Sequence, residues 1–407
     1  MNATRPDSEA ARLTDWQRGL REQFPIITAH PDLVYFDSAA TAQKPRSVLE
    51  AVQAYLTTSN ANAGRGTYPW ANRTTQLVER TRHRVKEFLG DPDPQRSTVH
   101  FTGGTTEGLR AVARDWLTSF LRDGDEILVP FADHQANLDP WLEAQRLLAD
   151  QGTDVRIRAL PYQAVSGDYD HRELERVVGL RTRFVAATHL HHVYGGDMNV
   201  HRIRAAVGPD VPICLDAAQS VGHLPLSVAP SALDVDFVVF SGHKALALPG
   251  TGVLWARNAR GPIFEPGGWQ GTPNTVGIAS LEAALDWLDA AGVERIARWT
   301  VALATRLTDR LRGSASYEIL GCQASLAAGS GQPLQQRRHG IVSFRHRDIP
   351  SDDLGFILFS EGFMVRADNL CQAGADEKRD GSVRVSLHVY NTEDEVERLL
   401  AVLTSLD

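Results

Sequence analysis

Apolar positions along this chain follow two rhythms, and where each rhythm starts and stops predicts the elements. Leu13, Trp16, Leu20 and Phe24 recur at helical spacing, so the chain opens with an amphipathic helix. Leu33-Val34-Tyr35-Phe36 is a short extended piece leading into Asp37-Ser38-Ala39-Ala40. From about residue 45 to 265 strands and helices alternate. The predicted strands are Thr98–Thr102, Glu126–Pro130, Val155–Leu160, Arg183–His189, Val211–Asp216, Phe237–Ser241 and Gly252–Ala256. Helical patterns separate most of them, as a mostly parallel sheet requires.

After Thr275 the pattern changes. Two long helices, near 277–291 and 294–312, precede short strands at Gly340–Phe344, Phe363–Arg366 and Ser382–Ser386. Thr392-Glu393-Asp394-Glu395 is a capping box, followed by an apolar helix face of Val396, Leu399, Leu400 and Leu403. The expected architecture is a large α/β domain over 30–275 with a mostly parallel central sheet. A small α+β domain would combine 1–29 with 276–407. Gly329–Gln336 is a loop-like stretch of low hydrophobicity.

Composition narrows the function classes. With 407 residues, 43% hydrophobic and 23% charged, the chain can bury the core of a globular protein of two packed domains. The net charge of −8 and the lack of any Lys/Arg cluster argue against nucleic acid and anionic membranes as partners. The first residues have no apolar core of a signal peptide, and no apolar run reaches bilayer length. The cysteines, Cys214, Cys322 and Cys371, form no disulfide framework, which fits a reducing cytoplasm.

Two strand ends carry the chemistry. One apolar run stops at Asp216, and the next stops at Ser241-Gly242-His243-Lys244. A lysine amine there can condense with the aldehyde of pyridoxal 5'-phosphate (PLP). A carboxylate beside it can keep the pyridine nitrogen protonated, so that the ring accepts electrons from an amino acid. Lys244 follows Phe237-Val238-Val239-Phe240 and precedes Ala245-Leu246-Ala247-Leu248, a setting that desolvates the amine and lowers its pKa.

Other residues gain meaning from that pair. Gly103-Gly104-Thr105-Thr106 joins a strand to a helix, where free amides and hydroxyls can hold a phosphate; Ser241 and His243 would add donors. Gln219, one turn past Asp216, can reach the ring's phenolic oxygen. His134, just past a strand end, can stack on a flat cofactor, and a pKa near neutrality would suit proton transfer. Arg384 sits between β-branched residues, so it needs either a substrate carboxylate or an internal acidic partner. Cys371 lies in a polar loop, where a thiol is unusual, whereas Cys214 points into the sheet as inert core. Neither a zinc-type pattern nor a nucleophile elbow is present.

Taken in order, these motifs resemble the class V aminotransferase fold group of PLP-dependent enzymes (fold type I). Within it they resemble the cysteine desulfurase and selenocysteine lyase-like branch. The resemblance runs from Tyr35-Phe36-Asp37-Ser38-Ala39-Ala40 to Tyr390-Asn391-Thr392. It implies that Lys244 is the Schiff-base lysine, Asp216 the pyridinium partner, Gln219 the ring-oxygen contact and His134 the stacking ring. Thr105, Thr106, Ser241 and His243 would surround the phosphate. Thr272 would reach the phosphate of a neighbouring subunit, which implies a homodimer with shared sites. Arg384 would bind the substrate carboxylate, with Ala40 and Tyr68 on the same substrate side. Cys371 falls where the family forms a persulfide for a sulfur-acceptor protein.

The departures fall on the substrate side. His191-His192-Val193 stands where the family reads Ser-Asn-Val, which puts His192 beside the cofactor. Gly64 and Tyr68 stand where the family has two histidines, and the usual His-His before Cys371 is missing. The segment 256–270 is short, as though a pocket-wall hairpin were absent. A retained PLP site with a roomier pocket is the economical expectation. The expected reaction is cleavage of a Cβ–S bond in L-cysteine or an S-substituted cysteine. That cleavage is either desulfurase-like or a β-lyase reaction of the kind used to tailor natural products. Decarboxylation or oxidative deamination, transamination and epimerisation are open to the same ring.

Overall fold

The computed structural model describes residues 7–64, 66–163, 167–257, 272–321, 338–373 and 381–407, with backbone alone for 7–11. A seven-stranded sheet runs in the order Ser97–Thr102, Gly252–Arg257, Phe237–Ser241, Ile213–Asp216, Thr182–Thr188, Glu126–Val129, Arg156–Ala159. The last five are parallel to one another, and Gly252–Arg257 runs antiparallel to both its neighbours. The mostly parallel sheet expected from the sequence is therefore present, with one strand reversed.

The strand Phe237–Ser241 shows why these runs are apolar throughout. Val238 and Phe240 join the core on one face, with Leu281, Leu285 and Leu288. Phe237 and Val239 join the core on the other face, with Leu109, Trp116 and Trp141. Side chains alternate at period two, so a strand covered on both faces must be apolar at every position.

A second sheet, antiparallel, is ordered Tyr317–Ile319, Ile341–His346, Ser382–Ser386, Arg366–Asp368. Helices Val293–Arg312 and Glu393–Ser405 pack Leu303, Leu307, Leu399 and Leu403 onto Val342, Phe344, Val383 and Val385. The predicted capping box is formed: Thr392 Oγ1 accepts from the Glu395 N–H, and the Glu395 carboxylate accepts from the Thr392 N–H.

Some local expectations shift. The run Phe363–Arg366 is not one strand. Phe363–Met364 pairs in parallel with Val34–Tyr35, whereas Arg366–Asp368 pairs with Ser382–Ser386. One extended run thus serves two partners that are remote in sequence. The strand Tyr317–Ile319 and the hairpin Tyr162–Gln163/Asp168–Tyr169 were not predicted, being too short to show a period. Helix Thr275–Ala291 lays its core face on the seven-stranded sheet, and Val34 and Phe36 pack in the core of the smaller sheet. The expected divisions at 30 and 275 therefore cut across this packing. Gly329–Gln336, Cys322 and most of the short 256–270 segment lie outside the described residues.

Candidate active site

Ligands of open parallel sheets bind beyond the carboxyl ends of the strands. Here those ends bring together the residues singled out above. Thr188 closes one strand, Asp216 the next and Ser241 the third. Ser241 is followed by the short 3₁₀ turn Gly242–Lys244. A cavity of about 320 Å³ opens over them, and it also meets Ala40, Thr105, Thr106, His134, His192, Gln219, His243, Arg384 and Cys371.

Lys244 is half-buried at the floor of this cavity. Burial lowers its pKa to about 8, against the opposing pull of Asp216. Burial raises Asp216 to about 6, while the Ala218 N–H and Lys244 draw it back. The Ala218 N–H reaches Asp216 Oδ1 at 2.9 Å. The site thus holds an amine that is easily freed of its proton and a carboxyl short of cationic partners. An acidic ring nitrogen would supply the missing charge.

The phosphate cradle has a definite shape. Gly104 has φ of +155°, which a side chain resists, and a Cβ there would lie 3.2 Å from Ser241 Oγ. A Cβ on Gly252 of the neighbouring strand would come within 2.5 Å of Gly104 Cα, so both positions need glycine. Ser241 Oγ accepts from the Thr105 N–H at 2.8 Å and lies 2.8 Å from Thr105 Oγ1. Glu107 accepts from the Gly103 N–H at 2.6 Å and closes the turn from outside. Hydroxyls, amide groups and space for a bulky anion therefore converge beside the lysine. This donor set, with the Lys244–Asp216 pair, fits a phosphorylated pyridine aldehyde.

His134 lines the cavity, with Nδ1 accepting from the Ala136 N–H at 3.1 Å. Its expected pKa near neutrality is corrected. Burial, then Lys244 and Arg384, hold it down to about 4, so at pH 7 it is a neutral ring. Gln219 is tied to the Ala39 carbonyl by Nε2 at 2.9 Å, which orients its amide. Cys214 is buried, and burial pushes its thiol well up, as inert core requires.

The substrate side rests on longer connections. Arg384 is buried, and of its two expected partners the internal acid is present. Arg384 pairs with Asp37 Oδ1 at 3.1 Å and donates to the His192 carbonyl at 3.2 Å, yet it lines the cavity with Nε unpartnered among the described residues. Arg366 sits opposite Arg384 in register and shares the same carboxylate at 3.3 Å. Sequence reasoning missed Asp37 and Arg366 as site residues; the Asp-Ser-Ala-Ala turn and the Val-Arg step before Cys371 were the available signals. His192 is buried and stacked on His191 at 4.9 Å, and among the described residues both its ring nitrogens lack partners. Burial and surrounding cations keep it neutral.

Cys371 is exposed at the cavity mouth. Leu370 and Cys371 have φ of +56° and +54°. This left-handed backbone costs an L-residue roughly 1–2 kcal/mol each. Two expected residues are not brought in by their own chain. Tyr68 is half exposed and outside the cavity, and Thr272 lines a separate surface cleft with His100 and Arg110.

Residues 34–399 match the aminotransferase class-V family. The cysteine desulfurase of Cronobacter sakazakii is 33% identical over 414 aligned residues, covering 94% of this chain and 96% of that protein. Cysteine desulfurase CsdA of Escherichia coli is 31% identical over 407, covering 93% of this chain and 95% of the relative. Among solved structures, the apo cysteine desulfurase of Thermococcus onnurineus superimposes with a TM-score of 0.82 at 27% identity, covering 100% of this chain and 99% of that one. The Escherichia coli CsdA crystal structure gives 0.79 at 29% identity, covering 96% and 98%.

Proposed function

Since this chain belongs to the aminotransferase class-V family, in its cysteine desulfurase-like branch, we propose that it holds PLP on Lys244. Its reaction on this proposal is cleavage of the Cβ–S bond of L-cysteine or an S-substituted cysteine. One observation carries the reading: a half-buried amine of lowered pKa, a buried carboxyl, a glycine-lined anion cradle and a buried guanidinium all face one cavity. The bound cofactor would supply an electron sink for charge left on a substrate carbon.

The chain's own residues do the rest. Asp216 would keep a proton on the ring nitrogen, and the neutral His134 would pack against the ring. Thr105, Thr106, Ser241 and His243 would hold the phosphate. Arg384, steadied by Asp37, takes the α-carboxylate and so orients the Cα proton. Lys244, with its lowered pKa, receives that proton and later returns one. The Cys371 thiolate attacks the substrate sulfur. The Cβ–S bond breaks, the carbon takes a proton to give alanine, and the sulfur stays on Cys371 as a persulfide. An exposed thiol at the cavity mouth suits handover to an acceptor protein.

Homodimerisation with shared sites is part of the proposal, because Tyr68 and Thr272 stand outside their own chain's cavity. Among the described residues no helix is long and apolar enough to cross a membrane, and a reducing cytoplasm would keep Cys371 free. The altered substrate wall at His192 favours a second outcome, β-elimination of a bulky S-conjugate, in which the Cβ–S bond breaks with release of the thiol and the remaining fragment is hydrolysed by water to pyruvate and ammonia.

Carbon products formed from L-cysteine and bulky S-conjugates decide between them. Alanine, lost in Cys371→Ala, supports the desulfurase reading. Pyruvate, retained in Cys371→Ala, supports β-elimination. An aldehyde, a 2-oxo acid that keeps its sulfur, or a D-amino acid, with no Cβ–S cleavage from any conjugate, would move the chain to another PLP reaction.

A further inference from the structure

We propose that Gln372 and Tyr194 are positioning residues that clamp the Cys371 thiol at the cavity mouth. The bearing of the clamp on turnover rests on the persulfide role proposed above. Three loops meet here: 131–137, 189–194 and 369–373. The Cys371 carbonyl accepts from the Gln135 N–H at 3.0 Å, and the Ala373 N–H reaches the Asp133 carbonyl at 2.8 Å. His134 and Gln372 form an antiparallel bridge. The Gln372 side chain then crosses to both partner loops. Its Nε2 donates to the Ala132 carbonyl at 2.9 Å and to Tyr194 Oη at 3.0 Å.

Tyr194 is itself held by a rigid support. Its ring stacks on His191 at 4.4 Å and on Tyr162 at 5.9 Å. His191 Nδ1 accepts from the Val193 and Tyr194 N–H groups, both at 3.2 Å, which leaves the ring proton on Nε2. Nε2 faces Asp133 Oδ1 at 3.3 Å and the Ala132 carbonyl at 3.2 Å, and Tyr169 donates to Asp133 Oδ2 at 2.7 Å. His191 is therefore a fixed plate, and Tyr194 presents its hydroxyl from it.

The loop needs that hold. Two successive left-handed residues, Leu370 and Cys371, persist only where surrounding contacts over-determine them. Asp368 and Asn369 side chains accept from the Leu370 and Cys371 N–H groups at 2.6 and 3.1 Å, which shapes the turn from within. Gln372 ties the shaped turn to the wall that carries His134 and His192. The residues at 191, 194 and 372 thus act as one unit on the thiol.

The test uses holoenzyme and iodoacetamide without substrate, with each cysteine resolved by peptide mass and buried Cys214 as internal control. Gln372→Met keeps length and removes the amide; Tyr194→Phe keeps the stack and removes the acceptor. Alkylation at Cys371 should quicken about fivefold in Gln372→Met, the order one net hydrogen bond supplies, and less in Tyr194→Phe. The double variant should add little to Gln372→Met, because the two changes remove a shared bond. With L-cysteine, kcat should fall severalfold while KM holds. Faster alkylation with turnover indifferent to Cys371→Ala would leave the clamp standing and remove the persulfide role. Wild-type alkylation rates in both single variants would overturn the clamp.

Discussion

The two walls of the cavity are built by different means. The cofactor wall is made of strand ends: Asp216, Ser241 and Thr188 each close a parallel strand, and Lys244 lies three residues past one. Short-range geometry fixes it, because each of these residues sits at a strand end or one short turn past it. The substrate wall is assembled across the chain. Arg384 depends on Asp37, 347 residues away, and Gln372 on Tyr194, 178 away. The departures that the resemblance implies at His191, His192 and before Cys371 would fall on this wall. A scaffold that fixes the cofactor by strand ends leaves the loops opposite free to change substrate without loss of the engine.

This contrast makes graded predictions. The largest effect belongs to Lys244→Ala, which removes both tether and proton carrier; turnover should fall by at least roughly 10³-fold, read by product formation from L-cysteine. Next is Asp216→Asn, which keeps shape and removes charge. Breaking a buried charge pair costs about 3–5 kcal/mol, so cofactor affinity should drop by roughly 10²–10⁴-fold in an absorbance titration. Arg384→Ala should lower kcat/KM by roughly 10–100-fold, chiefly through KM, for the loss of charge-assisted hydrogen bonds worth about 1.5–3 kcal/mol. Its cofactor spectrum should stay as in the wild type. A cofactor spectrum changed as much by Arg384→Ala as by Asp216→Asn would erase the distinction between the walls.

The smallest effect is a pH dependence. The neutral amine captures the aldehyde, and Lys244 loses its proton at about pH 8 rather than at the ordinary lysine value of 10.5. Cofactor capture by the apoenzyme should therefore rise about tenfold between roughly pH 7 and 9 and then level off. A rate still climbing steeply at pH 10 would mean an ordinary, solvated lysine.

Legibility in the sequence followed the same division. Asp216, Lys244 and the glycine turn were readable because each sits at the end of a local apolar run, and the strands that carry them were found within one or two residues. Asp37 and Arg366 were not, because their roles arise from pairing between segments 329 residues apart. The split of Phe363–Arg366 between two sheets escaped for the same reason: periodicity records that a segment is extended, not which strand it joins. His134 was placed in the cavity, but its proton affinity was misjudged. Nothing in the local sequence shows that burial, with Lys244 and Arg384 facing it, will hold it neutral.

Borohydride reduction of the PLP-loaded protein, followed by peptide mass mapping, tests the central claim most directly. The pyridoxyl mass should appear on the peptide carrying Lys244 and vanish in Lys244→Ala. A colourless protein that takes no adduct, or an adduct on another lysine with Lys244 unmodified, would contradict it.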